Sequence, residues 1–471
     1  MELSFLVSMK FEMMLTLIIF ILLFLKIDDR ASNKTIIGTA NLLLVIAFGL
    51  YFLPGAKASL FNGMFNSSPM LDFEKAILLL ATFIISLSSF QWLKGFKHVP
   101  EFYILLLSSL MGMFFMMSSD NLLMFYLGLE LSTIPLAALC NFDLDKRISS
   151  EAAMKMILSS AFSSGILLFG LSLIYGATGS LSYSEVSAAI TGTPLQVMGF
   201  ILIFSGFAFK LSVVPFHLWT ADVYEGSPIA VTAFLSVVSK GAMVFVFITN
   251  LYRVFGNLGA TWYYMLAFSA VITMVIGNLF ALRQNNLKRF FAFSSIAQVG
   301  YLLIGISGFT QVGLSITSVV YFILVYVFSN LAAFGVISVI SALTGKETVD
   351  DYKGLYKSNP ALALIMALAL FSLAGIPPTA GFFGKLFLLT AGSAVGNWPL
   401  IIIASLNLIM SLYYYLRIIR AMFIDENSEP LAKLSFSYSE VFAFVICAGG
   451  ILSVGFLKGL FEMIFNISAG Q

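Results

Sequence analysis

The hydrophobic residues of this chain fall in blocks close to twenty residues long, and the charges, glycines and prolines collect in short segments between them. A helix of about 20 apolar residues crosses the hydrocarbon layer of a bilayer, whereas a barrel strand needs only about ten alternating ones. Counting the blocks predicts about fourteen transmembrane helices, centred near residues 19, 44, 83, 109, 131, 165, 206, 240, 271, 298, 328, 377, 410 and 450. The first block, about Met13 to Leu25, lacks a small-residue cleavage site and runs into Lys26-Ile27-Asp28-Asp29-Arg30, so it is expected to stay as a span. The expected fold class is an all-α membrane protein.

Two blocks do not read as plain anchors. The seventh holds Lys210 and, five residues on, Pro215. The proline removes a backbone donor and frees the carbonyl of Leu211, which predicts a broken helix beside a buried charge. The twelfth holds Pro377-Pro378 with Lys385 about two turns later. Each break falls in the fourth member of a group of five spans, about 101–254 and 262–424. Five is odd, so two such groups in series must be inverted relative to each other, an arrangement that places working sites at discontinuous helices near the midplane. The expected organisation is three accessory helices in 1–100, five-helix repeats in 101–254 and 262–424, and a C-terminal helix in 425–471.

Composition agrees with a polytopic membrane protein: 60% of residues are hydrophobic and 10% charged, against about 25% charged in a soluble domain. The net charge of +2 says nothing about nucleic acid, because the charges sit in short loops and form no basic face, and no nucleic-acid partner is expected. Lysine and arginine favour alternate loops. Those after odd-numbered spans hold Lys26, Arg30, Lys34, Lys94, Lys97, Lys146, Arg147, Arg283, Lys288 and Arg289, among others, while those after even-numbered spans hold only Lys57, Lys75 and Arg253. This bias puts the odd loops in the cytoplasm and both termini on the outer side. The loop after the seventh span is the exception, with Asp222 and Glu225 in place of basic residues. The two cysteines, Cys140 and Cys447, and the two histidines, His98 and His217, supply neither a disulfide framework, nor an iron-sulfur site, nor paired haem ligands.

Four ionisable residues fall near the centre of a predicted span: Glu130, Lys210, Lys240 and Lys385. Unpaired, four such charges at roughly 3 kcal/mol each would cost about as much as a domain's whole stability. They must be paired, hydrated or neutral. Glu130 stands five residues before Pro135, as Lys210 does before Pro215, and is expected to pair with Lys210. Lys240 and Lys385 then have no carboxylate, and burial without a counter-charge suits them to releasing a proton near neutral pH. His217, seven residues after Lys210, would return to the same helix face and relay a proton. Ser212, Thr232, Ser239 and Asn330 could hold water along such a path. Asp143, Asp145, Lys146, Arg147 and Glu151, and likewise Lys346, Glu347, Asp350 and Asp351, read as solvated loops or partner contacts. No phosphate loop, dinucleotide fingerprint or metal-ligand spacing occurs, so no cofactor or metal is expected on this chain.

Three motifs carry a resemblance: Pro215-Phe-His-Leu-Trp-Thr-Ala-Asp-Val-Tyr-Glu-Gly-Ser-Pro228 with Val231-Thr-Ala-Phe-Leu-Ser, Leu287-Lys-Arg-Phe-Phe-Ala-Phe-Ser-Ser-Ile-Ala-Gln-Val-Gly-Tyr301, and Gly375-Ile-Pro-Pro-Thr-Ala-Gly-Phe-Phe-Gly-Lys385. From about the fourth span to the thirteenth, the chain resembles the antiporter-like membrane subunits of respiratory complex I, the NADH-quinone oxidoreductases, and among them the subunit N branch. The resemblance implies a fourteen-helix proton-translocating subunit in a bacterial inner membrane, with Glu130, Lys210, Lys240 and Lys385 as its proton-transfer residues. It implies other membrane-arm subunits as partners, which would hold the NADH, flavin, iron-sulfur and quinone sites. Gln298 stands where many relatives have a histidine, and Ser227-Pro228-Ile229 replaces a more usual Ala-Pro-Thr. A lysine at 385, rather than glutamate, favours the subunit N branch. Two other readings are a secondary cation/proton antiporter subunit with no redox partner, and a purely structural scaffold whose buried charges are replaceable.

Overall fold

The computed structural model describes residues 2–27, 31–55, 57–427 and 430–469; residues 28–30 of the first basic loop lie outside them. Among the described residues, eleven helices are long and apolar enough to cross a membrane, and a pair bent by 119°, Asp350–Ser358 with Pro360–Ala374, makes a twelfth if counted as one span. Helices Lys10–Ile27 and Pro69–Ser88 have the length as well, but their first two turns carry Lys10, Glu12, Asp72, Glu74 and Lys75. The chain is thus a helical, multi-pass membrane protein.

Ile229–Arg253, Leu287–Ile306 and Val312–Thr344 are enclosed by other helices along almost their whole length, and form the centre. Arg147–Thr178 and Trp398–Phe423 lie at the periphery and expose apolar faces, including Phe162, Phe169, Leu406 and Ile409, that suit lipid contact. Without a hydrophobic drive between helices in lipid, close association relies on small residues. Val99–Met117 and Leu122–Cys140 meet through Gly112 and Gly128, where an added Cβ would stand 2.3 Å from Ser132 N and 2.6 Å from Met116 N. That backbone contact fixes the helix carrying Glu130 and Thr133.

Both predicted breaks are present. Pro194–Leu211 ends at Ser212, which is left-handed with φ 65°, and the chain resumes as Leu218–Gly226 after a cis Val214-Pro215 bond. Pro360–Ala374 ends at the left-handed Gly375, and Ala380–Ser393 follows a cis Pro377-Pro378 bond.

Two expectations need correction. Lys75 is in helix Pro69–Ser88 and not in a loop; its ammonium is 2.5 Å from Glu12 Oε1, and neither side chain is more than 2% exposed. A second buried pair, Lys10 with Asp72 at 2.8 Å, lies beside it. Both pairs bridge helices far apart in sequence, so the local charge pattern does not reveal them. Residues 425–471 contain two helices, Tyr438–Phe456 and Lys458–Ala469, because Leu457 leaves the helical region at φ −82°, ψ 81°. The acidic loop after the seventh span is balanced from elsewhere: Asp222 meets Lys155 at 2.6 Å and Arg289 at 2.7 Å, and Glu225 meets Arg289 at 2.8 Å.

Gly128→Val is expected to lower the thermal midpoint of the detergent-solubilised protein, since overpacking costs about 1–3 kcal/mol or more. Gly165→Val, where nothing lies within 4 Å, is the control and should leave the midpoint unchanged. Lys75→Ala strands the Glu12 carboxylate and is expected to cost roughly 3–5 kcal/mol, read as lost midpoint or lost assembly, with much of it recovered in the double substitution Glu12→Leu, Lys75→Met.

Candidate proton-transfer site

Three lysines are embedded in the bundle, and each ammonium is held by a neutral oxygen. Lys210, in the last turn of Pro194–Leu211, donates to Thr133 Oγ1 on Leu122–Cys140. Lys240 follows directly on a wide π-type turn, Leu235–Ser239, and donates to Ser295 Oγ at 2.8 Å, with its charge 5.4 Å from the centre of the Tyr224 ring. Lys385, on Ala380–Ser393, reaches back across the break to the carbonyls of Leu373 at 2.6 Å and Ala374 at 3.4 Å. Those carbonyls end helix Pro360–Ala374 and have no amide donor of the helix left for them. Gly375 is required beside them: its φ is +83°, and an added Cβ would stand 3.1 Å from Lys385 Cδ.

The expected direct pair of Glu130 with Lys210 is absent. No ion pair within 4 Å joins them, and Thr133, three residues after Glu130 on the same helix face, takes the ammonium instead. Glu130 and Lys210 are both half-buried, whereas Lys240 and Lys385 are 5% and 3% exposed. Glu130 Oε1 has no protein partner among the described residues. His217 is buried and precedes helix Leu218–Gly226; because the preceding helix stops at Leu211, the seven-residue helical spacing to Lys210 does not carry across the break. Its Nδ1 likewise has no protein partner.

Helix Leu287–Ile306 lies between Lys240 and Lys385 and touches the surroundings of both. Ser295 receives Lys240; Gln298, one turn on, donates to Leu373 O at 3.3 Å, the carbonyl that also receives Lys385, and to Tyr415 OH at 3.2 Å. Ser294 and Tyr415 complete the cluster at 2.5 Å. Asn330 Nδ2 donates to Ser236 Oγ at 3.2 Å, and Ser236 and Tyr326 are also 3.2 Å apart. Thr232 and Ser212 have local partners, Tyr224 O and Thr220 Oγ1. Sequence reasoning missed Thr133, Ser295, Tyr415 and the Leu373 carbonyl. Only Thr133 carried a readable signal, its i,i+3 spacing from Glu130.

Along this row Gln298 Oε1 and Asn330 Oδ1 are buried without a protein partner among the described residues. Such atoms are uncommon in a dry core and are stable where water reaches them. At the end of the bundle where Ile229–Arg253 begins, a cavity of about 850 Å³ is lined by Asp143, Lys146, Glu225, Ser227, Lys288 and Glu347, among others. Lysines solvated by neutral oxygens, spaced by hydroxyl and amide groups, can hold and pass protons; nothing in the set suits electron transfer or group transfer.

A sequence profile described as NADH:quinone oxidoreductase/Mrp antiporter, TM, matches residues 119–411. NADH-quinone oxidoreductase subunit N of Azobacteroides pseudotrichonymphae is 48% identical, covering 93% of this chain and 92% of the relative. That of Phocaeicola vulgatus is 45% identical, covering 98% and 99%. A chain of respiratory complex I from Thermus thermophilus, solved with bound aureothin, superposes with a TM-score of 0.82 at 29% identity, covering 95% of this chain and 97% of that one. The chain therefore belongs to the NADH:quinone oxidoreductase/Mrp antiporter transmembrane family, on its NADH-quinone oxidoreductase subunit N branch.

Proposed function

We propose that this chain is a proton-translocating membrane-arm subunit of a NADH-quinone oxidoreductase, moving protons while quinone is reduced elsewhere in the complex. The observation that carries the reading is the row of embedded lysines on neutral oxygens, in a chain 45–48% identical over nearly its whole length to subunits N. NADH, flavin, iron-sulfur clusters and quinone belong, on this reading, to partner subunits.

The fourteen-span arrangement is part of the proposal. It counts Lys10–Ile27 and Pro69–Ser88 as spans and treats the helices flanking each break as one broken span. Residues 1–100 are then accessory, 101–254 and 262–424 are inverted repeats, and 425–471 close the bundle. The loop-charge bias supports an inner-membrane protein with both termini outside.

In the cycle, Glu130 and Lys210 form the input. Thr133 spaces them, so the Lys210 charge responds to Glu130 without being locked to it. A change of charge at Lys210 alters the proton affinity of Lys240, which is loaded from the cytoplasmic cavity past Glu225 and Ser227. The proton passes along Leu287–Ile306 by water held at Ser295, Tyr415 and Gln298 to Lys385. Gln298 cannot itself take a proton, so it orients water where a histidine would carry the charge. His217 is the relay on the Lys210 side.

In inverted membrane vesicles, Lys240→Met and Lys385→Met are expected to cut the proton flux carried by this subunit by at least about 100-fold, the scale for removing a proton-transfer group. Lys210→Ala and Glu130→Ala should lower both pumping and coupled turnover in an assembled complex. Wild-type pumping in an assembled Lys240→Met complex would reject the reading. Thr133→Val, which keeps shape and removes the hydroxyl, should reduce pumping less than Lys210→Ala; equal pumping in Thr133→Val and wild type would show that the spacer is dispensable.

A further inference from the structure

The N-terminal helices hold a carboxylate that the lysine row does not use. Lys10, Glu12, Asp72 and Lys75 form two buried ion pairs that cancel in charge. Glu74, next to Lys75 in sequence and 4% exposed, is left over: among the described residues no ion pair or hydrogen bond reaches its carboxylate. It lines a cavity of about 460 Å³ with Lys57, Asn66, Ser119, Thr249 and Arg253 among the other walls. Arg253 is already held by Asp120 at 2.8 Å. The cavity lies at the far ends of Val99–Met117 and Ile229–Arg253, against the hairpin of Ala58–Leu60 and Phe65–Ser67, on the side that the loop charges assign to the outside.

Helix Pro69–Ser88 also passes beside the backbone at the level of Lys240. Leu78, four residues after Glu74, lies on the same face, and its Cδ2 would be 3.2 Å from a Cβ placed on Gly241, the neighbour of Lys240. Four residues of helix rise about 6 Å, so Glu74 stands roughly one turn outward of the Lys240 level, with Leu78 as the apolar layer between. A surplus carboxylate buried against a cavity is stable when hydrated or protonated, and this one lies outward of a proton-carrying lysine.

We propose that Glu74 is an outward proton-exchange group for Lys240, giving the first half of the subunit its own route to the outer face through the accessory helices. The Lys240 ammonium gives up a proton and becomes the neutral amine; water carries it past Leu78 to the Glu74 carboxylate, which becomes the acid and releases it into the cavity. The electron count is unchanged throughout. The proposal rests on Lys240 carrying protons, so its test includes that residue.

Glu74→Gln, Glu74→Asp and Lys240→Met are compared as assembled complexes in inverted vesicles, with assembly checked on native gels and proton uptake measured per NADH oxidised. The expected result is a loss of pumping in Glu74→Gln that is smaller than in Lys240→Met, since the route to Lys385 stays open, with most of it restored in Glu74→Asp, which keeps the titrating group. Wild-type pumping in Glu74→Gln beside a loss in Lys240→Met overturns the role of Glu74 and leaves that of Lys240 standing. Wild-type pumping in Lys240→Met overturns both. An assembled Glu74→Asp complex no better than Glu74→Gln also overturns the proposal, since the defect would then lie in packing.

Discussion

A lysine placed in the middle of a membrane bundle must be solvated by the protein, and the chemical kind of the solvating atom decides what the lysine can do. Lys210, Lys240 and Lys385 are held by a threonine hydroxyl, a serine hydroxyl and a helix-end carbonyl. Each of these stabilises an ammonium without cancelling its charge, and each tolerates a neutral amine with little rearrangement. Lys10 and Lys75 show the opposite arrangement, with carboxylates at 2.8 and 2.5 Å. Removing a proton from either would strand a buried anion, so these two act as fixed clamps between helices. One chain thus contains buried lysines of two kinds, and the difference lies in the partner atom.

The helix breaks supply part of this solvation. Continuous helices spend their carbonyls on their own amides, whereas a helix ending inside the bundle leaves its last carbonyls available and presents the negative end of its dipole. Pro360–Ala374 ends in this way, and Lys385 occupies the end. Lys210 lies in the last turn of Pro194–Leu211, at the same end of its own half-helix. In sequence the two lysines look unlike, one preceding its proline and the other following. In space Lys210 lies in the last turn of the segment before its break, and the Lys385 ammonium reaches the carbonyls that end the segment before its own.

Glu130, Lys210, Lys240 and Lys385 could be singled out in the sequence because an ionisable residue in an apolar block is costly and therefore conspicuous. Lys240 meets Ser295 Oγ, and Lys385 meets the Leu373 and Ala374 carbonyls. Charges near the block ends were less conspicuous. Glu12 and Lys75 sit where a loop residue could equally stand, and only the packing of Lys10–Ile27 against the neighbouring helices makes them buried. The acidic residues Asp222 and Glu225 seemed anomalous for the same reason, since their counter-ions, Lys155 and Arg289, come from other helices.

Block length and residue type, by themselves, determined that the chain is a helical membrane protein, that two of its helices are broken at prolines, and which lysines are costly enough to require a purpose. Those conclusions follow from local properties: the rise of a helix, the missing donor of proline, the cost of a charge in hydrocarbon. Which atom meets each charge was decided only by the tertiary structure. Thr133 receives Lys210, Ser295 reaches Lys240 from 55 residues away, and Lys385 doubles back to Leu373. A hydrogen bond depends on positions to within a few tenths of an ångström, and helix periodicity sets direction along one helix but not the distance between two.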